Sequence, residues 1–199
     1  MNITSEYLKI TSLVLFFVIK YISVFLIMKK LRVSVIGAGH LGRIHLKLLS
    51  QNTTIDLVGV FDTNSDITTE QAQMYNITSF SGVDEAISSS DAIFIIVPTS
   101  EHFAISQKAI KQQKHLFIEK PVCSNYDEAT ELIALASQYN DVKIQVGHIE
   151  RFNPVIVHAQ RYNLNPQFVE THRLTQFTPR GTDVSVIHDL MIHDIDLVL

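Results

Sequence analysis

The fold is decided by the stretch "VSVIGAGHLGRIH", Val33–His45, in which an apolar run meets three closely spaced glycines. The run before the glycines is short and rich in β-branched residues, which is typical of a parallel strand buried on both faces. After the glycines, Leu41, Ile44 and Leu48 recur at the spacing of one helix face. The stretch therefore predicts a strand, a glycine turn and a helix in succession.

The glycines follow the G-x-G-x-x-G pattern at Gly37, Gly39 and Gly42, and Asp62 ends the next predicted strand twenty residues after the last of them. In this context Gly37 permits the tight turn, Gly39 lets the backbone approach a pyrophosphate, and Gly42 lets the helix pack against the strand. Asp62 can accept hydrogen bonds from ribose hydroxyls and would repel a 2′-phosphate, which favours NAD over NADP as the cofactor. The alternative is a glycine-rich turn with a purely structural role.

The rest of the chain alternates between short apolar runs and helical patterns, which predicts βαβ units and a doubly wound parallel Rossmann sheet of the α/β class. Around Glu150 this rhythm changes, and we expect the Rossmann domain to occupy residues 28–149. Phe168–Phe177 then alternates like a half-exposed strand. The further strands are predicted at Ile55–Asp62, Asp91–Pro98, His115–Lys120 and Val142–His148, and the helices at Thr68–Met74, at Ser100–Gln112 and after the N-cap Asn125, where Ala129, Leu132, Ile133 and Ala136 mark one face.

Composition narrows the possible partners and compartment. The net charge is −4 and the chain contains no basic block, which argues against nucleic acid as a partner. Cys123 is the single cysteine, so the chain forms no internal disulfide, as is usual in a reducing compartment such as the cytoplasm.

The oily run Leu13–Met28 precedes the first strand and contains Lys20. A spanning helix needs about 20 apolar residues, and this run is shorter and charged. Two interpretations stay open: a signal-anchor that leaves the folded part in the cytoplasm, or translation that starts at Met28, which we favour. In both cases residues 1–27 are expected to lie outside the fold.

Three further stretches, "VPTSEH" at Val97–His102, "EKP" at Glu119–Pro121 and "HDLMIHDID" at His188–Asp196, occur in this order after the glycine turn. Together the four motifs resemble the Gfo/Idh/MocA oxidoreductases, named for glucose–fructose oxidoreductase and inositol dehydrogenase. The resemblance runs from about Leu31 to the end of the chain. The run "ERFNP", which begins at Glu150, is similar to that of members acting on nucleotide-linked sugars.

The resemblance implies that Lys120 lies beside the nicotinamide and that Asp189 and His193 form the D-x-x-x-H pair of the family. Oxidising an alcohol requires a base, because a proton leaves the oxygen while a hydride leaves the carbon. We expect His193 to transfer the proton and Asp189 to orient it or to bind a hydroxyl. Lys120 would hold the reacting oxygen or act as acid/base. At about 100° per residue, Asp189 and His193 share one helix face with Asp196.

On the opposite face of that helix we expect buried apolar side chains, and the alternative is that the polar face is an ordinary solvated surface. No metal is expected, because the spacing of the two histidines in this segment does not suit a shared ligand set. The residues expected to bury are Ile187, Met191, Ile195 and Val198.

The motifs also predict the residues that bind cofactor and substrate. Arg151 could contact a substrate phosphate, or it could pair with Glu150 at a helix start. The predicted substrate residues are His148, Arg151 and Asn153. The predicted cofactor residues are Gly37, Gly39, His40, Leu41, Gly42, Asp62, Pro98, Thr99, His102, Glu119 and Lys120.

These observations predict an NAD-dependent dehydrogenase that acts on a hydroxyl of a sugar, cyclitol or nucleotide-sugar. The alternatives are a non-catalytic NAD-binding regulator and a scaffold held at a membrane by the leader. The resemblance implies that residues 150–199 begin a second α/β domain, which binds substrate and forms homo-oligomers and is truncated here. For residues 28–199 alone we therefore expect weak NAD binding and little turnover.

Overall fold

The computed structural model describes residues 29–162, 165–174 and 185–199. Its centre is a six-stranded sheet in which all strands are parallel and the spatial order is β3-β2-β1-β4-β5-β6. This is the order of a doubly wound Rossmann sheet, so the predicted fold class is confirmed. The strands are β1 (Leu31–Ile36), β2 (Ile55–Phe61), β3 (Thr78–Ser79), β4 (Ala92–Ile95), β5 (His115–Ile118) and β6 (Ile144–Val146).

Helices connect the strands and cover both faces of the sheet. Two of them begin at asparagines whose side chains accept backbone N–H bonds: Asn64 caps α2, and Asn125 caps α5 as predicted. The helices of this part are α1 (His40–Ser50), α2 (Ser65–Tyr75), α3 (Val83–Ser88), α4 (Thr99–Lys111) and α5 (Tyr126–Ala136).

The core forms two apolar clusters, one on each face of the sheet. Neighbouring residues of β1 point to opposite faces, so Ile36 joins the cluster with α4 while Val35 joins the cluster with Leu46 of α1. Both β1 residues are at most 1% exposed. The continuous apolar runs of the strands follow from this burial on two sides.

In two helices, part of the face that the apolar spacing marks is exposed and not buried. In α5, Leu132 is buried as predicted, but Ile133 is 72% exposed, because its side chain points away from the sheet and Leu135 packs there instead. In α1 the predicted helix is confirmed, yet its stripe Leu41, Ile44 and Leu48 is 44–58% exposed.

After β6 the chain forms only short elements: a 3₁₀ turn (Ile149–Phe152), α6 (Pro154–Ala159), a π-helical turn (Ile187–Met191) and α7 (Ile192–Val198). The predicted strand Phe168–Phe177 is wrong for its described part, residues 168–174, which contains no strand. Phe168 and Leu174 are 79% and 91% exposed there, with no neighbouring strand to pair with among the described residues. Residues 175–177 lie outside the described residues.

The predicted leader, residues 1–27, also lies outside the described residues. Among the helices of the described ranges, none combines the length and the apolar character that crossing a membrane requires. Residues Arg32–Leu199 form one compact unit. The boundary predicted near Glu150 stays a prediction.

Candidate functional site

The glycine turn between β1 and α1 is built so that each glycine has a distinct steric role. Gly37 has a φ of +96°, and a Cβ there would overlap the carbonyl oxygen of Ile96. A Cβ on Gly42 would overlap the carbonyl oxygen of Gly37, so the helix can approach the strand only without a side chain. Gly39 differs from both, because a Cβ there would project into open space. That space lies in front of the start of α1, where no side chain caps the helix.

Asp62 holds this turn from the end of β2. Its Oδ2 accepts the N–H of Ala38 at 2.7 Å, and its Oδ1 accepts the N–H of Asn64 at 2.9 Å. Each carboxylate oxygen keeps a second lone pair for a ribose hydroxyl. The loop and the acidic residue therefore form one unit.

A cavity of about 480 Å³ opens at the carboxyl end of the sheet beside the turn. Gly37, Gly39, Asp62 and Pro98 contribute to its wall. Open space at Gly39, an uncapped helix start and an acceptor at the end of β2 together fit a dinucleotide whose pyrophosphate meets the helix N-terminus. Of the other predicted cofactor residues, Thr99 is only 7% exposed.

His102 lies behind this edge rather than in the cavity wall. It is 1% exposed, its Nδ1 lies 2.9 Å from the carbonyl oxygen of Pro121, and its Nε2 lies 2.9 Å from that of Val97. The imidazole therefore bridges the loop after β4 to the loop after β5. Both ring nitrogens contact backbone, so His102 shapes the site through these two loops.

Lys120 and Asp189, which are 69 positions apart, meet in the structure. The amine of Lys120 donates to the Oδ1 and to the backbone carbonyl oxygen of Asp189, both at 2.8 Å. Asp189 lies within the π-helical turn, a widened helical geometry that often occurs at functional sites. The lysine side chain is 17% exposed.

His193 lies one helical turn beyond Asp189, and its Nδ1 is enclosed without a hydrogen-bond partner among the described residues. Partial burial, followed by the positive charges of Lys120 and Arg173, lowers the pKa of His193 below its ordinary value of 6.5. The imidazole is therefore neutral at neutral pH, which is the state that can accept a proton.

The predicted substrate residues are engaged by other side chains of this chain. Arg151 forms a two-pronged ion pair with Asp196, with N···O distances of 2.7 and 2.6 Å. The predicted alternative, a pair between Arg151 and Glu150, is wrong, because Glu150 instead contacts Arg173 at 3.6 Å and the Asn153 amide at 3.2 Å.

The other two predicted substrate residues lie close to these pairs. The Nδ1 of His148 lies 3.7 Å from Asp196, within ion-pair range but too far for a hydrogen bond. Asn153 caps α6 through the N–H of Val155. These three residues thus form one cluster at the end of β6, and their role in substrate binding stays a prediction.

Two acidic residues of the polar face of the last helix bind cations, but the apolar face, which we expected to be buried, is not. Ile187, Met191 and Val198 are 50%, 52% and 57% exposed. The physical reason is that Lys120 binds Asp189 and Arg151 binds Asp196, which fixes the rotation of the helix. About half of the surface of each of these apolar side chains is therefore exposed.

Sequence reasoning missed two contacts. His45 binds Glu119 at 2.8 Å, and Arg173 pairs with Asp194 at 2.9 Å. The only sequence signal for the first was a histidine that follows the glycine pattern on the inner side of α1. No group of three or more metal-binding side chains occurs within the described part of the chain.

The parallel sheet, glycine turn and acidic acceptor define a dinucleotide-binding Rossmann protein. The model of the oxidoreductase family with an NAD-binding Rossmann fold, GFO_IDH_MocA, matches residues 31–148. The chain belongs to this family, which confirms the resemblance and the NAD class of cofactor.

Similar proteins agree with this assignment. The UDP-N-acetylglucosamine 3-dehydrogenase of Acidithiobacillus ferrooxidans is 39% identical over 170 residues, which are 85% of this chain and 53% of that protein. A crystal form of it superposes with a TM-score of 0.80 over 86% of this chain and 56% of that chain. An inositol 2-dehydrogenase of Paenarthrobacter aurescens is 29% identical over 85% of this chain and 53% of its own length. The chain thus spans about half the length of these curated relatives.

Proposed function

We propose that this chain forms the NAD-binding and catalytic part of a dehydrogenase that oxidises a hydroxyl of a sugar, a cyclitol or, as we favour, a nucleotide-sugar. The observation that carries the proposal is the contact of Lys120 with Asp189 one helical turn from the neutral His193. The 39% identity to a UDP-N-acetylglucosamine 3-dehydrogenase supports the nucleotide-sugar class.

In the proposed reaction the substrate hydroxyl loses its proton to His193 and its carbon becomes a carbonyl. NAD, when bound, accepts the hydride, so the products are a ketone, a proton and NADH. The ammonium of Lys120 would stabilise the negative charge that develops on the reacting oxygen. Asp189 holds that ammonium in place, and the intact trio favours catalysis over a regulator that only binds NAD.

The domain and location assignments belong to the same proposal. We assign residues 28–149 to cofactor binding and 150–199 to the beginning of a substrate and oligomerisation domain. We place the protein in the cytoplasm, because its single cysteine, Cys123, forms no disulfide within the chain, as is usual in a reducing compartment.

Cofactor binding is tested by Gly39→Ala, with Gly82→Ala as the matched control. Both glycines precede a helix without a side-chain cap, and a Cβ at either enters open space, so both variants should fold normally. We expect Gly39→Ala to weaken NADH binding by about tenfold or more, because the methyl group occupies the approach of the pyrophosphate. Fluorescence titration with NADH measures this. Equal affinities of the two variants would refute the proposed cofactor position.

Catalysis is tested by Lys120→Ala, with Lys108→Ala as the control, because Lys108 is exposed, pairs with Asp84 and does not line the cavity. NADH formation is followed with UDP-N-acetylglucosamine and with inositol as substrates. We expect a low rate that Lys120→Ala reduces by about a hundredfold or more and Lys108→Ala leaves unchanged. A rate that is insensitive to Lys120→Ala would contradict the enzyme proposal.

A further inference from the structure

His45 occupies a fixed position on the inner side of α1. Its ring lies on two phenylalanines of adjacent strands, with centroid distances of 5.8 Å to Phe94 and 5.2 Å to Phe117. The two phenylalanine rings stack on each other at 4.7 Å. The His45 side chain is only 19% exposed, so packing alone restricts its orientation.

The free edge of this ring points at Glu119, the first residue of the EKP motif. The Nε2 of His45 lies 2.8 Å from Oε1, and Oε2 accepts the backbone N–H of Lys120 at 3.1 Å. Each carboxylate oxygen thus has one hydrogen-bond partner: His45 of α1 for Oε1 and the backbone N–H of Lys120 for Oε2. The carboxylate is 16% exposed, so losing either partner would leave a largely buried acceptor unsatisfied.

Two other observations show that this carboxylate is held tightly. A Cβ on Gly147 at the end of β6 would lie 3.0 Å from Oε2, so the glycine makes room for the carboxylate. Burial raises the pKa of Glu119, but the hydrogen bonds from His45 and Lys120 and their charges outweigh it, so the pKa falls below its ordinary value. Glu119 is therefore ionised at neutral pH and binds its donors as a charge.

We propose that His45 is a positioning residue for Lys120, and that it acts by holding the Glu119 carboxylate against the backbone of the lysine. The continuous path runs from α1, whose first turn faces the pyrophosphate position, through His45 and Glu119 to the amine that contacts Asp189. The inference rests on the proposed function only for the importance of Lys120. The contact path itself is independent of cofactor and substrate.

The proposal is tested by His45→Phe, which keeps an aromatic ring on Phe94 and Phe117 but removes the donor to Glu119. The readout is acylation of Lys120 as a function of pH, measured by mass spectrometry on the whole chain without cofactor, with the exposed Lys111 as internal reference. We expect the relative reactivity of Lys120 to rise by about fivefold or more, because the loop that holds its amine against Asp189 loosens. A His158→Phe control changes an exposed histidine of α6 and should leave the Lys120 profile unchanged.

His45→Gln separates positioning from packing, because its amide can still donate to Glu119. We expect it to restore the low reactivity of Lys120. A folded His45→Phe variant with the wild-type Lys120 profile would overturn the proposal.

If His45→Phe does not fold, Gly147→Ala replaces it, because the added methyl displaces Glu119 from the opposite side. It should likewise raise Lys120 reactivity, and an unchanged profile would overturn the proposal. A changed profile in a chain that fails to bind NADH would refute the proposed function and leave the positioning role standing.

Discussion

Residues 31–148 contain a core of fully buried apolar side chains, whereas none of the described residues between 149 and 199 is fully buried. In the first region Ile93, Ile95 and Ile118 have no exposed surface. In the second region charged side chains are among the least exposed: the side chain of Asp196, for example, is 8% exposed. The hydrophobic effect therefore holds the Rossmann domain together, while ion pairs hold the segment after it in place.

Different forces therefore position the two sides of the site. The cofactor side depends on packing, which is short-ranged and insensitive to salt, and the Asp189–His193 side depends on charge pairs that salt and pH can weaken. The two sides meet at Lys120, which belongs to the Rossmann domain and contacts Asp189.

The largest change is expected when a core side chain of residues 31–148 is truncated. Ile95→Ala should lower the free energy of unfolding by about 2–5 kcal/mol, because it leaves a cavity in a fully buried strand. Val155→Ala, at a residue that is 72% exposed in α6, should change it by less than about 0.5 kcal/mol. Urea denaturation measures both. Similar losses in the two variants would show that residues 149–199 contribute a core of their own.

A smaller and local change is expected when an ion pair of residues 149–199 is removed. Asp196→Asn removes the charge that binds Arg151, so α7 should open more often while the sheet stays closed. We expect hydrogen exchange of Ile192–Val198 to accelerate by about threefold to tenfold, with no change in the β1 and β4 peptides. Uniform acceleration across the chain would show instead that the pair supports the whole fold.

The smallest expected change is a gradual loss of stability of the last helix as pH falls. Burial and nearby cations lower the pKa of His193, so protonation of this residue destabilises the folded state, and this cost grows as pH falls below the ordinary value of 6.5 toward the lower folded value. Hydrogen bonds from Arg173 and Arg151 lower the pKa of Asp194 and Asp196, so their contribution is complete above 3.8 and is lost as pH falls through their lower folded values.

The protection factors of Ile192–Val198 should therefore decline in two steps, an upper one from the histidine and a lower one from the carboxylates. His193→Gln should remove the upper step alone. A single step shared with the β-sheet peptides would contradict the separation of the two regions.

The sequence allowed the Rossmann domain to be predicted in detail, because its signals are local. The glycine spacing, the β-branched runs and the Asn125 cap each depend on a few neighbouring residues. The predicted strand after residue 167 failed for the opposite reason, since alternation describes a possible strand but a strand exists only where a partner lies beside it.

The site was predictable only where a family motif marked it. Several of its contacts join residues that are 45 or more positions apart in the chain, such as Arg151 with Asp196 and His45 with Glu119, and no periodicity indicates such pairs. The last helix shows the limit most clearly. Periodicity predicted a polar and an apolar face, but the rotation of the helix is set by Lys120 and Arg151, which lie elsewhere in the chain.

One of the two oxygens that anchor Lys120 is the main-chain carbonyl of Asp189. No substitution at position 189 deletes that oxygen, so side-chain mutagenesis cannot remove one of the two hydrogen bonds that Lys120 donates to Asp189. A residual activity in Asp189→Ala would therefore be a poor guide to the importance of this helical turn. Replacing the peptide bond itself by an ester, whose carbonyl is a weaker acceptor, would expose the contribution that a conventional scan leaves hidden.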